Sequence, residues 1–379
     1  MNHEDFEFRE EWAREQFNRL DSDVAIKLLE MVKSESECLR TYLRDRWKVA
    51  SELGRNFVQR GLIKVRREMN DYSVYKDALV IGIDSSRQSP FRVLNRYYCP
   101  ITTAIVYFNG MRSKMEYDRD SPSEFFDISD KPPEEALRES HKRMYELEVR
   151  AIHRASSLID SLTKRVGSKK VIVMIDGPIV DPPSDPLYKN YINERANAIL
   201  ACKSAGALVI GCIKRIEGSH FINFLKANPN FSDLSTVAEG FGSDPQLIPL
   251  VFSSLKNLRS PLETIPIELH EPKSLLSKYQ TAGMGKIYRI YLTQGGSRGL
   301  LGLEYFVLDD EDPFVVGEEI CKAVRAWSFP RLNAPLPVIA AHRRCNIKRG
   351  SAEFLYRELL TRALSWEGGG DILDNLLRG

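Results

Sequence analysis

Short apolar segments separated by turn residues predict an α/β domain that begins near residue 76. Residues 78–83 (ALVIGI) are continuously apolar, as is typical of a strand buried on both faces, and Asp84 follows them directly. Residues 96–108, rich in Tyr, Ile, Val and Thr, predict a second strand. The Asn109-Gly110 pair predicts a tight hairpin, with residues 111–117 as the returning strand. The domain should therefore open with three antiparallel strands.

A long helix and two further strands are predicted next. Residues 132–165 carry apolar side chains at helical spacing, which indicates an amphipathic helix with one face on the sheet. The apolar segments 171–175 and 207–213 predict two more buried strands, separated by a helix over residues 190–204. The order β-β-β-α-β-α-β predicts a mixed sheet, with three antiparallel strands followed by parallel strands, flanked by helices.

The rest of the chain predicts an N-terminal helical arm and an insertion. Residues 4–70 show helical spacing, which fits either a packing layer on the next domain or an arm for dimerisation or another partner. Further strands are expected at 286–293 and 301–308, and helices near 317–327 and 337–365. The expected parts are the arm (1–75), the first part of the core (76–220), an inserted subdomain (221–300) and the C-terminal part of the core with closing helices (301–379).

The sequence favours a cytoplasmic protein that does not enter a membrane. The N-terminal residues MNHEDFEFREEWARE lack the apolar region of a signal peptide. No segment approaches the roughly 20 apolar residues of a membrane span. The six cysteines form no C-x-x-C pair, so neither a zinc site nor a disulfide framework is expected. Cys99 and Cys212 have apolar neighbours and are expected to be small core residues.

Three acidic residues occupy positions where burial is predicted. Asp84 and Asp176 end buried strands, and strand ends of α/β sheets commonly build functional sites. On the long helix, Glu148 shares the apolar face with Met144, four residues earlier. A carboxylate buried there must be paired, hydrogen-bonded or bound to a metal. Glu146 falls instead on the charged face, where a surface ion pair is expected.

An acid on the first strand, one on the first helix and one on the fourth strand resemble the ribonuclease H-like superfamily of metal-dependent nucleases. Three clustered carboxylates repel one another, and divalent cations relieve the repulsion. Hard oxygen ligands suit Mn²⁺ or Mg²⁺. Two such ions about 3.5–4 Å apart can activate water and stabilise a leaving phosphodiester oxygen. The alternative for each acid is a helix cap or an ion pair with an arginine.

His342 is a candidate for the same chemistry. It follows a proline pair and shares a helix face with Val338, Ile339 and Cys345. A histidine on such a face is commonly a satisfied core residue. The basic segment that surrounds it favours a second interpretation, in which the imidazole is a ligand or proton donor near a bound phosphate.

Five segments together resemble the NurA nucleases. They are IGIDSS around Asp84, ELEVRA around Glu148, VIVMIDGPIV around Asp176, LVIGCIKRIEGSHF around Lys214 and PLPVIAAHRRCNI around His342. The family carries an Asp after the first strand, a helix Glu, an Asp-Gly pair after a later strand and an Ala-His near the C-terminus. These elements occur here in the same order. The chain departs from the family pattern in Ser85-Ser86, where Gly-Ser is more usual, and in Pro178.

The resemblance implies a DNA nuclease of the ribonuclease H-like fold that depends on Mn²⁺ or Mg²⁺. It implies 5′-to-3′ exonuclease and single-strand endonuclease activity in DNA end resection. Family members are homodimers that act with the hexameric HerA translocase in archaeal double-strand-break repair. Metal ligation and catalysis are expected at Asp84, Glu148, Asp176 and His342. The expected DNA contacts are Lys214, Arg343 and Arg344, although Lys214 could equally be a solvated strand-end lysine.

Two other classes of function remain as alternatives. An actin-like ATPase or sugar kinase also carries an Asp after its first strand, but it needs glycine-rich phosphate loops. Ser85-Ser86-Arg87-Gln88 is not such a loop, and no Walker A pattern occurs. A non-catalytic DNA-repair scaffold of the same fold would have no need for a complete set of buried acids.

The near-neutral net charge does not exclude binding to nucleic acid. The chain has 54 Lys and Arg against 52 Asp and Glu, a net charge of +2. The charges are segregated, because residues 301–320 are acidic whereas 55–69, 271–300 and 340–360 are basic. Such local basic segments predict DNA binding that weakens as the salt concentration rises.

Overall fold

The computed structural model describes residues 22–66, 72–166, 169–181, 190–255, 260–293, 299–329 and 334–365. Within these ranges twelve strands form one sheet. The strands are β1 (Ile63–Val65), β2 (Leu79–Arg87), β3 (Phe91–Val93), β4 (Arg96–Asn109), β5 (Glu116–Tyr117), β6 (Ser123–Ser129), β7 (Val171–Asp176), β8 (Ala207–Ile213), β9 (Leu262–Thr264), β10 (Ile267–Glu268), β11 (Lys286–Leu292) and β12 (Leu301–Val307).

Helices cover both faces of this sheet and fill one end of the molecule. They are α1 (Ser22–Gln59), α2 (Ser73–Lys76), α3 (Pro133–Val166), α4 (Tyr191–Ser204), α5 (His220–Ala227), α6 (Ser232–Glu239), α7 (Asp244–Ser254), α8 (Lys273–Thr281), α9 (Pro313–Ala326), α10 (Leu336–Cys345) and α11 (Arg349–Ala363). A short 3₁₀ helix (Pro229–Phe231) lies between α5 and α6.

The sheet is mixed, as the sequence predicts. Its order is β1-β9-β11-β12-β8-β7-β2-β4-β3, with β10 on β11 and with β5 and β6 on β4. Strands β2, β4 and β6 are antiparallel, whereas β7 runs parallel to both β2 and β8. Strands β11 and β12 extend the sheet beyond β8 in antiparallel pairs. The expected division of the chain at residue 300 therefore falls between two strands that pair with each other.

Alternation along β2 divides its side chains between two cores. Leu79, Ile81 and Ile83 pack with α3 and α4 on one face of the sheet. Val80 packs on the opposite face with residues of α9 and α10. Because Asp84 has the same phase as Val80, its side chain emerges on the face that α10 covers.

A third core lies at the end of the sheet. It joins the last turns of α1 with α5, α6, α7 and strand β9. Ala50, Leu53 and Phe57 are the side chains that α1 contributes. This part of α1 is therefore a packing layer. The side chains in the first half of the same helix are mostly exposed.

The strand predicted over residues 111–117 is much shorter in the structure, where it covers Glu116–Tyr117 alone. Only the two residues of β5 pair with β4, and β6 pairs with β4 along its whole length. The Asn109-Gly110 pair opens a longer loop instead of a tight hairpin. The physical reason is burial, because Phe126 and Ile128 of β6 pack in or against a small core, whereas the loop (MRSKM) carries two cationic residues.

Other predicted elements differ at their limits. The helix expected over residues 337–365 is divided into α10 and α11 at residues 346–348. The arm expected over residues 4–70 is helical at Ser22–Gln59, while residues 1–21 and 67–71 lie outside the described ranges. The expectation of a helix is wrong at Ile63–Val65, which form strand β1 because they pair with β9. Cys99 and Cys212 are fully buried, as expected. Among the helices that the structure describes, none combines the length and apolar character needed to cross a lipid bilayer.

Candidate active site

Asp84 and Asp176 come together where the parallel pairing of β2 with β7 ends, because Ile83 and Ile175 are its last partners and the two aspartates follow them. Asp176 is the last residue of β7, whereas β2 continues past Asp84 to Arg87 along β4, so the expectation that this strand ends at Asp84 is wrong. Asp84 is buried, and Asp176 is nearly so. Burial and the neighbouring Asp84 carboxylate raise the pKa of Asp176 to about 6. Each strand therefore delivers one oxygen ligand to a confined, negatively charged place.

Helix α10 adds an imidazole to this pair. His342 Nδ1 lies 2.8 Å from Asp84 Oδ2 and 3.7 Å from Asp176 Oδ2. The hydrogen bond with Asp84 raises the pKa of His342. The three side chains each offer a ligand atom, and these atoms lie within 4.8 Å of one another. About half of the imidazole surface is exposed, so an incoming group can reach it.

Lys214 follows β8 and contacts Asp176. Its Nζ donates a hydrogen bond to Asp176 Oδ2 at 2.5 Å. The ammonium lowers the pKa of Asp176, against the larger opposite effects of burial and Asp84. The structure therefore places a cation beside the acid pair, with its side chain 32% exposed to solvent.

Glu148 borders the site, but its carboxylate is already bonded. It lies on the buried face of α3, the phase that the sequence predicts. Its Oε1 accepts a hydrogen bond from Arg195 Nη1 at 2.8 Å, and its Oε2 accepts one from the Ser85 hydroxyl at 2.5 Å. Glu146 instead pairs with Arg143 at 2.5 Å on the partly exposed side of the helix.

These side chains line one cleft of 1370 Å³. Strands β2, β7 and β8 provide its floor, and the start of α5 and residues before α8 provide part of its wall. Four cationic residues line it, namely Lys214, Arg215, Lys273 and Arg289. Asp181, Glu217 and Glu271 line it as well, so both cationic and acidic side chains surround the central carboxylates.

A family model described as the NurA domain matches residues 78–345. The chain belongs to the NurA family. Its fold is similar to the crystal structure of the NurA nuclease from Sulfolobus solfataricus, with a TM-score of 0.54 and 13% identity over 92% of this chain and 99% of that one. At 13% sequence identity, this similarity shows a shared fold and nothing about function.

Two further NurA crystal structures are similar at a lower level. One is described as containing manganese, with a TM-score of 0.44 and 13% identity over 87% of this chain and 98% of that one. The other is described as bound to dAMP and manganese, with a TM-score of 0.43 and 13% identity over 90% of this chain and 98% of that one. No curated protein matches the chain by sequence.

Arg343 and Arg344 are the remaining candidates for DNA contacts, expected from the basic segment beside His342. Both lie in the exposed last turn of α10, directly after His342. The guanidinium of Arg344 lies 3.5 Å from the centre of the Tyr117 ring, so part of its surface is taken up by a cation–π contact. The structure thus brings Asp84, Asp176, His342 and Lys214 together and leaves these two arginines on the adjoining surface.

Sequence analysis missed two charged residues, Asp181 in the lining of this cleft and Arg195 behind Glu148. Arg195 is fully buried and binds Glu148 together with the backbone oxygens of Pro178 and Ile179. Asp181 is also buried, and this burial raises its pKa to about 7. A signal for Arg195 exists in the sequence, because it lies four residues from Tyr191 on the apolar stripe of α4. Asp181 belongs to an irregular loop, which carries no such periodicity.

The donor set fits a hard divalent cation. Two carboxylates that repel each other in a confined place gain from a shared positive ion. Oxygen ligands with one imidazole suit Mn²⁺ and Mg²⁺, whereas a thiolate-rich set would indicate zinc. Cys345 Sγ lies 3.3 Å from Asp84 Oδ2, but burial and Asp84 raise the pKa of this thiol, so it stays protonated.

Proposed function

We propose that this NurA-family protein is a divalent-metal-dependent nuclease that hydrolyses DNA phosphodiesters at Asp84, Asp176 and His342. The observation that carries the proposal is the convergence of two carboxylates from adjacent strands and one imidazole, with ligand atoms within 4.8 Å, on the floor of a 1370 Å³ cleft. A cleft with carboxylates at its centre and with Lys214, Arg215 and Lys273 in its lining suits a polyanion cut with the help of a cation.

Each side chain has a distinct part in this proposal. Asp84 and Asp176 would hold Mn²⁺ or Mg²⁺, which as a Lewis acid would polarise the scissile phosphate. His342, half-exposed and hydrogen-bonded to Asp84, would be a further ligand or would give a proton to the leaving oxygen. Lys214, Arg343 and Arg344 would bind DNA phosphates. Glu148 would be the acidic ligand for a second ion, and Arg195 and Ser85 fix its carboxylate.

The finer parts of the proposal rest on the family resemblance. They are 5′-to-3′ exonuclease and single-strand endonuclease activity in the resection of DNA ends. The partners would be a HerA-type hexameric ATPase and a second copy of the chain, in the cytoplasm. We also assign the sheet to the ribonuclease H-like class, because an antiparallel β2-β4-β6 set followed by parallel β7 and β8 carries the acids at the positions expected for it.

The central test replaces each aspartate with asparagine. Asp84→Asn and Asp176→Asn should each lower manganese-dependent degradation of linear DNA by at least roughly 100-fold, because each removes a negatively charged metal ligand. Release of nucleotides from end-labelled DNA measures this rate. Glu146→Gln is the control, since it also replaces a carboxylate by an amide, but at a residue that pairs with Arg143 outside the acid pair.

Two outcomes would contradict the proposal. One is a variant of Asp84 or Asp176 that is folded, as judged by circular dichroism, and still degrades DNA at the parental rate. The other is ATP hydrolysis by the isolated chain without any metal-dependent nuclease activity, which would favour the actin-like ATPase alternative.

A further inference from the structure

The Lys214 ammonium contacts one of the candidate metal-ligand atoms. It contacts Oδ2 of Asp176, the same oxygen that lies 3.7 Å from His342 Nδ1. This oxygen belongs to the group of ligand atoms that converge within 4.8 Å. The ammonium and a divalent ion in that group would thus share one carboxylate oxygen.

The Lys214 ammonium and a divalent ion would repel each other at this separation. Metal–oxygen distances for Mg²⁺ are about 2.0–2.1 Å, so an ion bound to Oδ2 would lie within roughly 5 Å of an ammonium that stays hydrogen-bonded to the same atom. Repulsion between a unit charge and a double charge at such a separation is strong in a partly buried place. The Lys214 ammonium can move away from Asp176, because its side chain is partly exposed and has a flexible stem of four carbons.

The acid pair nevertheless needs a positive charge when no metal is present. Asp84 and Asp176 lie side by side, with ligand oxygens within 4.8 Å of each other and with less than a tenth of either side chain exposed to solvent. His342 and Lys214 are the cationic side chains that contact this pair among the described residues. Lys214 supplies a permanent charge, whereas an imidazole is charged only when protonated.

We propose that Lys214 is an internal counter-cation that neutralises Asp176 in the metal-free protein and is displaced when a divalent ion binds. The displaced ammonium remains in the cleft, where it can contact a DNA phosphate. The inference rests on the proposed metal site, and it makes one further statement: metal binding competes with a side chain of the chain itself.

The test compares Mn²⁺ affinities in the absence of DNA. Lys214→Met, which keeps the length of the side chain and removes the charge, should bind Mn²⁺ roughly tenfold more tightly than the parent, a factor that corresponds to about 1.4 kcal/mol. Calorimetric titration or the electron paramagnetic resonance signal of free Mn²⁺ measures this at one fixed pH. Lys273→Met is the matched control, because it removes a cation from the same cleft and should change the affinity far less.

A second readout keeps the inference testable if one variant folds poorly. The metal-free Lys214→Met and Lys214→Gln proteins should melt at lower temperature than the parent, because Asp176 loses its counter-charge. Added Mn²⁺ should raise their melting temperature more than it raises that of the parent. A purely packing role of Lys214 would lower the melting temperature without increasing the effect of Mn²⁺.

The outcomes separate this inference from the proposed function. If the parent binds Mn²⁺, Asp84→Asn abolishes the binding and Lys214→Met binds no tighter than the parent, the counter-cation role is wrong and the metal site stands. If neither the parent nor Lys214→Met binds Mn²⁺, the proposed metal site itself is wrong.

Discussion

At the scale of single residues, the cleft depends on an ion pair that is withdrawn from water. Arg195 is fully buried, and the Glu148 side chain is 6% exposed. Arg195 also donates to the carbonyl oxygens of Ile179 and Pro178, which belong to the loop after β7. One guanidinium therefore holds both a candidate metal ligand and the segment that follows Asp176. Such a pair is costly to break, because the remaining partner keeps its charge in a place of low polarity.

Replacement of Arg195 should be strongly destabilising. We expect Arg195→Met to lower the free energy of unfolding by about 3–5 kcal/mol, since Glu148 would stay buried without its partner. The double variant Arg195→Met/Glu148→Gln should recover part of this loss. Chemical denaturation followed by circular dichroism measures both effects. Arg143→Met breaks the partly exposed pair with Glu146 on the same helix and should cost about 1 kcal/mol or less.

The same comparison can contradict this view of Arg195. Equal losses for Arg195→Met and Arg143→Met would mean that burial does not govern the strength of the pair. A double variant less stable than the single Arg195→Met would mean that Glu148 is stabilised by Ser85 rather than by the guanidinium.

At the scale of elements, the site exists because α10 lies directly on β2. A Cβ atom at Gly82 would lie 2.2 Å from the carbonyl oxygen of Pro337, which is backbone and cannot rotate away. Gly82 faces α10 two residues before Asp84, and Pro337 precedes His342 by little more than one helical turn. The missing side chain therefore allows the close approach that puts the imidazole against the aspartate.

A methyl group at Gly82 should separate these two elements. We expect Gly82→Ala to cost about 1–3 kcal/mol of stability, as overpacking does, and to weaken Mn²⁺ binding because His342 moves away from Asp84. Denaturation and Mn²⁺ titration are the two measurements. Gly350→Ala in α11 is the control, since open space surrounds its Cβ position and alanine favours a helix. Unchanged Mn²⁺ affinity in a destabilised Gly82→Ala protein would show that His342 is not needed for binding.

The accuracy of the sequence predictions depended on how local the signal was. The proximity of Asp84 and Asp176 was predictable, because each directly follows a continuous apolar segment that marks a buried strand. The end of the first strand was not, since β2 continues to Arg87 in pairs with β4. The contact of Lys214 with Asp176 was not, since it depends on β8 lying beside β7 in a particular register. The Asn109-Gly110 turn shows the reverse case, in which a strong local signal was overridden by the burial that β6 gains on β4.

At the scale of the whole molecule, α1 divides into a packed half and an exposed half. Leu29, Leu39, Leu43, Leu53 and Phe57 lie on one stripe of heptad spacing, in which Ser36 and Arg46 are polar positions. Leu53 and Phe57 are buried in the core at the end of the sheet, whereas Leu29, Leu39 and Leu43 are 47–55% exposed. A stripe that continues beyond its own core is typical of a surface that associates with another chain.

The exposed half of α1 should therefore drive self-association. We expect the parent to sediment as a dimer and the double variant Leu39→Glu/Leu43→Glu to sediment as a monomer, because two charges on this stripe would have to be buried at the interface. Analytical ultracentrifugation over a range of protein concentrations measures the change. Val237→Glu is the control, since Val237 is similarly exposed but belongs to α6.

If the double variant keeps the oligomeric state of the parent, the first half of α1 is not a self-association surface. If the stripe instead serves a different protein, the parent should be monomeric at every concentration and the substitutions should leave its sedimentation unchanged.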